Sequence, residues 1–341
     1  MAVTIWHGEM QDVLENEFGP SEFGALVTDP PYGYQFQANN ATEWDHVPVI
    51  KQWEQVYRVL KPGAYGTVFS GPRVMHYTML ELEKAGFEIR DVLLWLYGEG
   101  FVKQNDISRN IDLLHGIKRS GSGVANLEND GSISVAEPVT EDAKIWNGWG
   151  TQLRPAWNPI ILIRKPMGNR SAANNLLDWG TGALNVAGCG EKIKKRKLKK
   201  TPTEQGDGSV WYGAETLNSG RYLGHVREWK FPANVLHDGT FPEGIAKYFY
   251  CPITKGRGRD AGNHPTVKPV DLMRWLVRLV TPENETVLDP FGGSGTTGIA
   301  STRERRDCVL IEMLERYAMV ARKRNRKETK VLRFRKAGEY E

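Results

Sequence analysis

The segment from Thr286 to Gly298 constrains this chain more than any other. The apolar pair Val287-Leu288 runs directly into Asp289-Pro290-Phe291-Gly292-Gly293-Ser294-Gly295, and Gly293 to Gly298 fits a G-x-G-x-x-G spacing that opens a helix. Strand, glycine turn and helix are one half of a unit that belongs to a mostly parallel α/β sheet. Glycines let a ligand approach the backbone, and the helix N-terminus favours negative charge. The next strand candidate, Cys308-Val309-Leu310-Ile311, ends at Glu312, whose carboxylate can accept hydrogen bonds from both hydroxyls of a ribose. The turn alone serves as a plain tight connection or as a site for NAD or S-adenosylmethionine. Asp289 favours the last, because a strand-end carboxylate can meet the cationic amino group of a methionine moiety, whereas a pyrophosphate gains nothing from an acid.

Near the other end, the short strand candidate Leu26-Val27 enters Thr28-Asp29-Pro30-Pro31-Tyr32-Gly33. Two consecutive prolines end a strand or a helix, so Asp29 to Tyr32 sit on a strand-end loop. Such a loop suits chemistry on an exocyclic amine of adenine or cytosine, a poor nucleophile whose lone pair is delocalised into the ring. Asp29 can accept one N–H and the carbonyl of Pro30 the other, leaving the lone pair directed at an electrophilic methyl group. Tyr32 offers a flat face to a base flipped out of the duplex, offsetting part of a flipping cost of a few kcal/mol. Cysteine-based methylation at C5 of cytosine is excluded on this reading, since none of Cys189, Cys251 and Cys308 follows a proline. Their wide separation argues against zinc or a disulfide framework and for buried thiols; no metal site is expected.

Between these motifs the pattern is α/β at both ends and irregular in the middle. Helical spacing at Val49, Trp53, Val56, Tyr57 and Leu60 precedes a strand candidate over Tyr65 to Ser70; Met75 to Lys84 reads as helix and Phe87 to Leu96 as strand. Regularity fails over 98–157, an exposed excursion in which Trp146, Trp149 and Trp157 read as packing residues. Pro159 to Ile163 is another strand candidate, and 167–250 reads as a second subdomain. Asp271 is expected to cap a helix ending at Val280, and Arg322-Lys323-Arg324-Asn325-Arg326-Lys327 to be a solvated helix end. The net charge of +4 is modest, but residues 1–60 carry nine acidic and two basic side chains, whereas 161–230 carry thirteen basic and six acidic ones, a distribution suited to phosphates. No apolar run approaches the roughly 20 residues needed to cross a bilayer, and the first residues do not read as a secretory signal, so a cytoplasmic protein is expected.

Taken together, Asp29 to Tyr32, then a variable region, then His264-Pro265-Thr266-Val267-Lys268-Pro269, the Asp289 turn and Glu312 resemble the permuted, beta-class DNA amino-methyltransferases of bacteria and phages. The resemblance implies a three-layer, Rossmann-like α/β methyltransferase fold with a mostly parallel seven-stranded sheet. It divides the chain into a catalytic half over 1–166, a target-recognition region over 167–250, and a cofactor half over 251–341 with a basic tail. It implies S-adenosylmethionine as cofactor, held by Glu9, His264, Thr266, Lys268, Asp289, Pro290, Phe291, Gly292, Gly293, Ser294, Gly295 and Glu312. Glu9 stands where the family commonly has Asp, and Lys268 is otherwise a surface charge. Asp29, Pro30, Pro31 and Tyr32 are the implied catalytic loop. Lys192, Lys194, Lys195, Arg196 and Lys197, with Arg221 and Arg227, are candidates for contacts to double-stranded DNA, and Trp229 and Asn234 are further contributors. The expected reaction is methylation of adenine N6, with cytosine N4 as the alternative; an NAD-dependent oxidoreductase or a non-catalytic DNA-binding regulator leaves the intact Asp29 loop unexplained. The sequence leaves open a homodimer and a cognate restriction enzyme as partners.

Overall fold

The computed structural model describes residues 1–34, 45–98, 106–119, 126–127, 133–134, 137–192, 229–239 and 267–337. Nine strands form its main sheet: β1 (Ala2–His7), β2 (Phe23–Thr28), β3 (Leu60–Phe69), β4 (Glu88–Leu96), β5 (Trp157–Arg164), β6 (Val235–His237), β7 (Thr286–Asp289), β8 (Asp307–Glu312) and β9 (Val331–Lys336). Their spatial order is β6-β4-β5-β3-β2-β7-β8-β1-β9. Only β5 runs against its neighbours, antiparallel to both β3 and β4. The sheet therefore has nine strands rather than the expected seven, because β6 and β9 add to the two edges.

Strands β2 and β7 lie side by side, Ala25 opposite Val287 and Leu26 opposite Leu288, although about 260 residues separate them in the chain. From β2 the chain passes outward to β3, and from β7 it passes the other way to β8. The carboxyl ends of β2 and β7 thus flank a topological switch point, where open parallel sheets hold their ligands. The permuted motif order is a statement about this one junction.

All six residues of β2 are buried, which is why only its Leu26-Val27 centre stands out as apolar in the sequence. Alternation sends its side chains to two cores. Ala25, Val27, Val287 and Leu310 face a layer that includes α8 (Val270–Val280), while Leu26, Leu288, Val309 and Ile311 face α1 (Met10–Glu17) and α2 (Ile50–Val59). The α8 helix buries Leu272, Met273, Trp275, Leu276, Val277, Leu279 and Val280, each contributing about 1.5–3 kcal/mol. Its cap is Pro269 and not Asp271, which sits in the first turn and pairs with Arg274 at 3.2 Å.

Around this frame stand α3 (Met75–Lys84), α4 (Ile107–Leu114), α5 (Glu141–Ile145), α6 (Ala172–Trp179), α7 (Val186–Cys189), α9 (Thr296–Arg303) and α10 (Glu315–Asn325). The described parts of the excursion over 98–157 contain α4 and α5, held to one another by polar bonds. Asp112 is fully buried and accepts from the Val139 and Thr140 backbone N–H groups, the Thr140 hydroxyl and Arg119 Nε, at 2.6–3.0 Å. With Arg119 Nη2 also 2.6 Å from its Oδ2, every acceptor position of the carboxylate is occupied. Trp146 and Trp149 of this excursion do not pack inward as expected; they are 43% and 60% exposed and meet edge to face. The described start of the 167–250 region packs onto the core: Cys189 of α7 is buried with Trp275 of α8, and Asn175 of α6 donates to Pro62 O at 2.9 Å.

Candidate active site

Thr28 ends β2 immediately before the proline loop, and its hydroxyl donates to Asp289 Oδ1 at 2.7 Å. One hydrogen bond therefore joins the two motifs, and both line one cleft. Asp289 is 2% exposed; besides Thr28 it accepts from the Thr297 hydroxyl at 2.5 Å and the Phe291 N–H at 3.2 Å. Three of about four acceptor positions are thus taken, and Asp289 braces the site with one position to spare. Burial lifts its pKa to about 6, against the pull of those three donors.

The glycine turn is held from below and behind. Gly292 N–H donates to Ile311 O at 2.7 Å, and Gly293 N–H to Glu312 Oε2 at 2.8 Å. Gly295 has φ +76 at the N-terminus of α9, and a Cβ there would lie 2.5 Å from Asn325 Nδ2, so no other residue fits without displacement. At the end of α10, Arg322, Lys323, Arg326 and Lys327 are exposed as expected, but Arg324 turns inward as a clamp: its Nη1 donates to Ser294 O at 2.6 Å, Ser294 Oγ at 2.8 Å and Thr296 Oγ1 at 3.0 Å. Asn325 donates to Gly295 O at 3.0 Å. Both side chains are buried.

Glu312 ends β8 beside the turn and is 9% exposed. Each of its oxygens accepts one backbone N–H, from Gly293 and from Leu314 at 2.9 Å, which leaves one lone pair on each. Burial pushes its pKa up to about 7. Glu9 also lines the cleft, so the longer side chain still reaches it, and Gln52 Nε2 donates to its Oε1 at 3.4 Å.

Asp29, Pro30, Pro31 and Tyr32 form the opposite wall. Asp29 Oδ1 accepts the Tyr32 hydroxyl at 2.7 Å, and Oδ2 is ion-paired with Lys268 Nζ. Lys268 is 9% exposed, so it is not a surface charge. Burial, then the negative charge of Asp29, raises the Tyr32 phenol well above its ordinary pKa. Gly33 N–H donates to buried Asp45 at 2.8 Å, which ties the loop end in place.

The cleft opens to solvent at its mouth, and its walls are mostly apolar with a few convergent polar groups, the usual lining of a small-molecule site. Its donor set fits a nucleoside bearing a cationic head: a diol acceptor in Glu312, an apolar slot between Phe291, Pro290, Ile311 and Leu314, and acid at Asp289. A second carboxylate near a pyrophosphate would repel it. Burial pushes the Cys189 thiol up to about 12 and Cys308 higher still, so neither is a thiolate nucleophile. Cys251, His264, Thr266, Lys194, Lys195, Arg196, Lys197, Arg221 and Arg227 lie outside the described residues, as do the side chains of Lys192 and Trp229. Asn234 is placed at the edge strand β6, its amide 3.3 Å from Asp91. Among the described residues no group of His, Cys, Asp and Glu forms a metal site, and no helix is long and apolar enough to cross a membrane.

Several residues that build the site carried no sequence signal: Thr28 and Thr297 as hydroxyl braces, Arg324 and Asn325 as the clamp, and Gln52, Met313 and Tyr317 as cleft wall. Thr28 adjoins the proline loop and Thr297 lies inside the glycine turn, so adjacency alone could have marked those two.

A family model described as DNA methylase, covering N6 and N4 methyltransferases, matches residues 24–323. The type II methyltransferase M.HindIII of Haemophilus influenzae is 27% identical over 255 residues, 74% of this chain and 60% of that protein. The type II methyltransferase M2.DpnII of Streptococcus pneumoniae is 42% identical over 72 residues, 21% of this chain and 27% of that protein. The chain thus spans well under two thirds of these relatives' lengths. Among solved structures, the cytosine-N4-specific PvuII DNA methyltransferase aligns with a TM-score of 0.49 at 15% identity, over 94% of this chain and 86% of that one.

Proposed function

The chain belongs to the N6/N4 DNA methylase family, and we propose that it methylates the exocyclic N6 of adenine in duplex DNA, on a base turned out of the helix. One observation carries the reading: Asp29 and Asp289 leave adjacent parallel strands, are linked through the 2.7 Å Thr28 bond, and face one cleft with Glu312.

When bound, S-adenosylmethionine supplies an electrophilic methyl group on a cationic sulfur. Glu312 accepts its ribose hydroxyls through the two free lone pairs, the spare acceptor position of Asp289 takes its ammonium group, and Phe291 and Pro290 wall the nucleoside. His264 and Thr266 contribute to the same pocket by resemblance. On the opposite wall Asp29 accepts one N–H of the target amine and the Pro30 carbonyl the other, localising the nitrogen lone pair toward the cofactor. The Tyr32 ring lines the base's entry, and a phenol kept neutral by burial does not repel the carboxylate it bonds. The basic stretch 192–200 with Arg221 and Arg227 contacts phosphates, so binding weakens steeply with salt.

Adenine is favoured over cytosine by the Asp at the head of the loop, which resembles the adenine enzymes more than the cytosine ones. Single-molecule sequencing of DNA from cells expressing the protein tests this directly. The reading expects N6-methyladenine in one sequence context; N4-methylcytosine would move the substrate to the other base, and unmodified DNA would remove the activity.

A further inference from the structure

Lys268 and Asp29 are 239 residues apart, yet they form the ion pair at the centre of the cleft. The lysine stands directly before Pro269, the cap of α8, a helix buried along most of its length. Its side chain is 9% exposed and that of Asp29 20%. Its ammonium also lies 5.0 Å from the Phe69 ring centre and 5.7 Å from that of Tyr32, so three walls fix it. With the Tyr32 hydroxyl on the other oxygen, both oxygens of Asp29 are engaged. A carboxylate without partners in so enclosed a place is free to rotate; one bonded through both oxygens is held in a single orientation.

We propose that Lys268 is a positioning residue for Asp29 and not a ligand of the cofactor: it holds the carboxylate in its reactive orientation and occupies Oδ2, the place the target amine's N–H takes on base entry. The inference rests on the methyltransferase reading. Its chemistry is an exchange of hydrogen-bond donors, with no bond made or broken at Lys268. An entering amine displaces the ammonium from Oδ2, which keeps Oδ2 from recruiting water while the cleft stands open. Lys268 then remains beside Phe69 and Tyr32. The same geometry makes DNA entry and the release of Lys268 one event.

The test separates positioning from cofactor binding. Lys268→Met and Lys268→Gln are compared with the unaltered protein by calorimetry with S-adenosylmethionine and by steady-state methyl transfer to unmethylated DNA. Positioning predicts cofactor affinity within about threefold of the original and a turnover number lower by on the order of 100-fold, the scale of a ~1 Å misplacement of a reacting group. Unchanged turnover, or cofactor affinity falling in parallel with turnover, overturns it. A second measurement needs no DNA: urea midpoints of Asp29→Asn, Lys268→Met and the double variant. Loss of the second partner should cost much less than loss of the first, because each single change leaves one buried group unpaired. Additive midpoints overturn the proposal even if the protein proves to methylate nothing, whereas a strong coupling with no methyl transfer counts against the function alone.

Discussion

Of the carboxyl groups that line the cleft, Asp29, Asp289 and Glu312 have surroundings that separate their roles. On the proposed reading Asp29 is the part-exposed acceptor at the base side, Glu312 the buried diol acceptor, and Asp289 the brace with one acceptor position left for a cationic head. Asp29→Ala should abolish methyl transfer while cofactor affinity, measured by calorimetry, changes little; retained turnover contradicts its assignment. Glu312→Ala should weaken cofactor binding by roughly 10- to 150-fold, the value of about 1.5–3 kcal/mol for bonds to a charged group. Both buried acids also give the protein a pH signature. Each holds its proton more tightly when folded, at about 6 against an ordinary 3.8 for Asp289 and at about 7 against 4.5 for Glu312. Their stabilising contribution is therefore fully present below about pH 4 and is lost as pH rises through 6 and 7. Denaturation midpoints of the cofactor-free protein should fall between about pH 4 and 7, and Glu312→Gln should flatten the upper part of that fall. Cofactor affinity should move oppositely over pH 6 to 8, since the ionised Glu312 is the better acceptor for two hydroxyls, and that rise should also be missing in Glu312→Gln.

At the scale of elements, α10 does work that its basic sequence conceals. Arg324 makes three bonds to the turn that opens α9 and Asn325 a fourth, so two residues of an otherwise solvated helix end clamp the glycine turn. Arg324→Met should lower the denaturation midpoint, at a cost of about 2–4 kcal/mol for leaving buried acceptors unpaired, and should weaken cofactor binding. An unchanged cofactor affinity would confine Arg324 to a structural part. The strand and loop motifs were legible because their signals are local: two prolines after an apolar pair, glycines after another. Arg324 was not, because a run of cations on a helix end looks the same whether one of them turns inward. Lys268 was legible only as part of a motif, and its partner could not be found without the sheet that brings residues 29 and 268 together. The α4–α5 segment was missed for a related reason: α4 buries Ser108 and Asp112 and leaves Leu113 and Leu114 exposed, so its polar bonds to Arg119 and Thr140 order it with no apolar face turned to the core.

For the whole molecule, the order of motifs along the chain becomes geometry at a single junction, β2 against β7. Parallel strands whose connections depart in opposite directions open a crevice at their carboxyl ends, and each strand delivers one half of the chemistry to it. The alternation of strands and helices was enough to expect that sheet. It was not enough to count its strands, since β6 and β9 pair on one side only and β6 is three residues long. The central claim is that these two halves make one methyl-transfer site, and transfer of tritium from labelled S-adenosylmethionine to unmethylated DNA tests it most directly. The account predicts label in the DNA with the unaltered protein, recovered after digestion as N6-methyl-2′-deoxyadenosine, and none with Asp29→Ala. Label that never enters DNA of any sequence, from a protein shown by calorimetry to bind the cofactor, would contradict it.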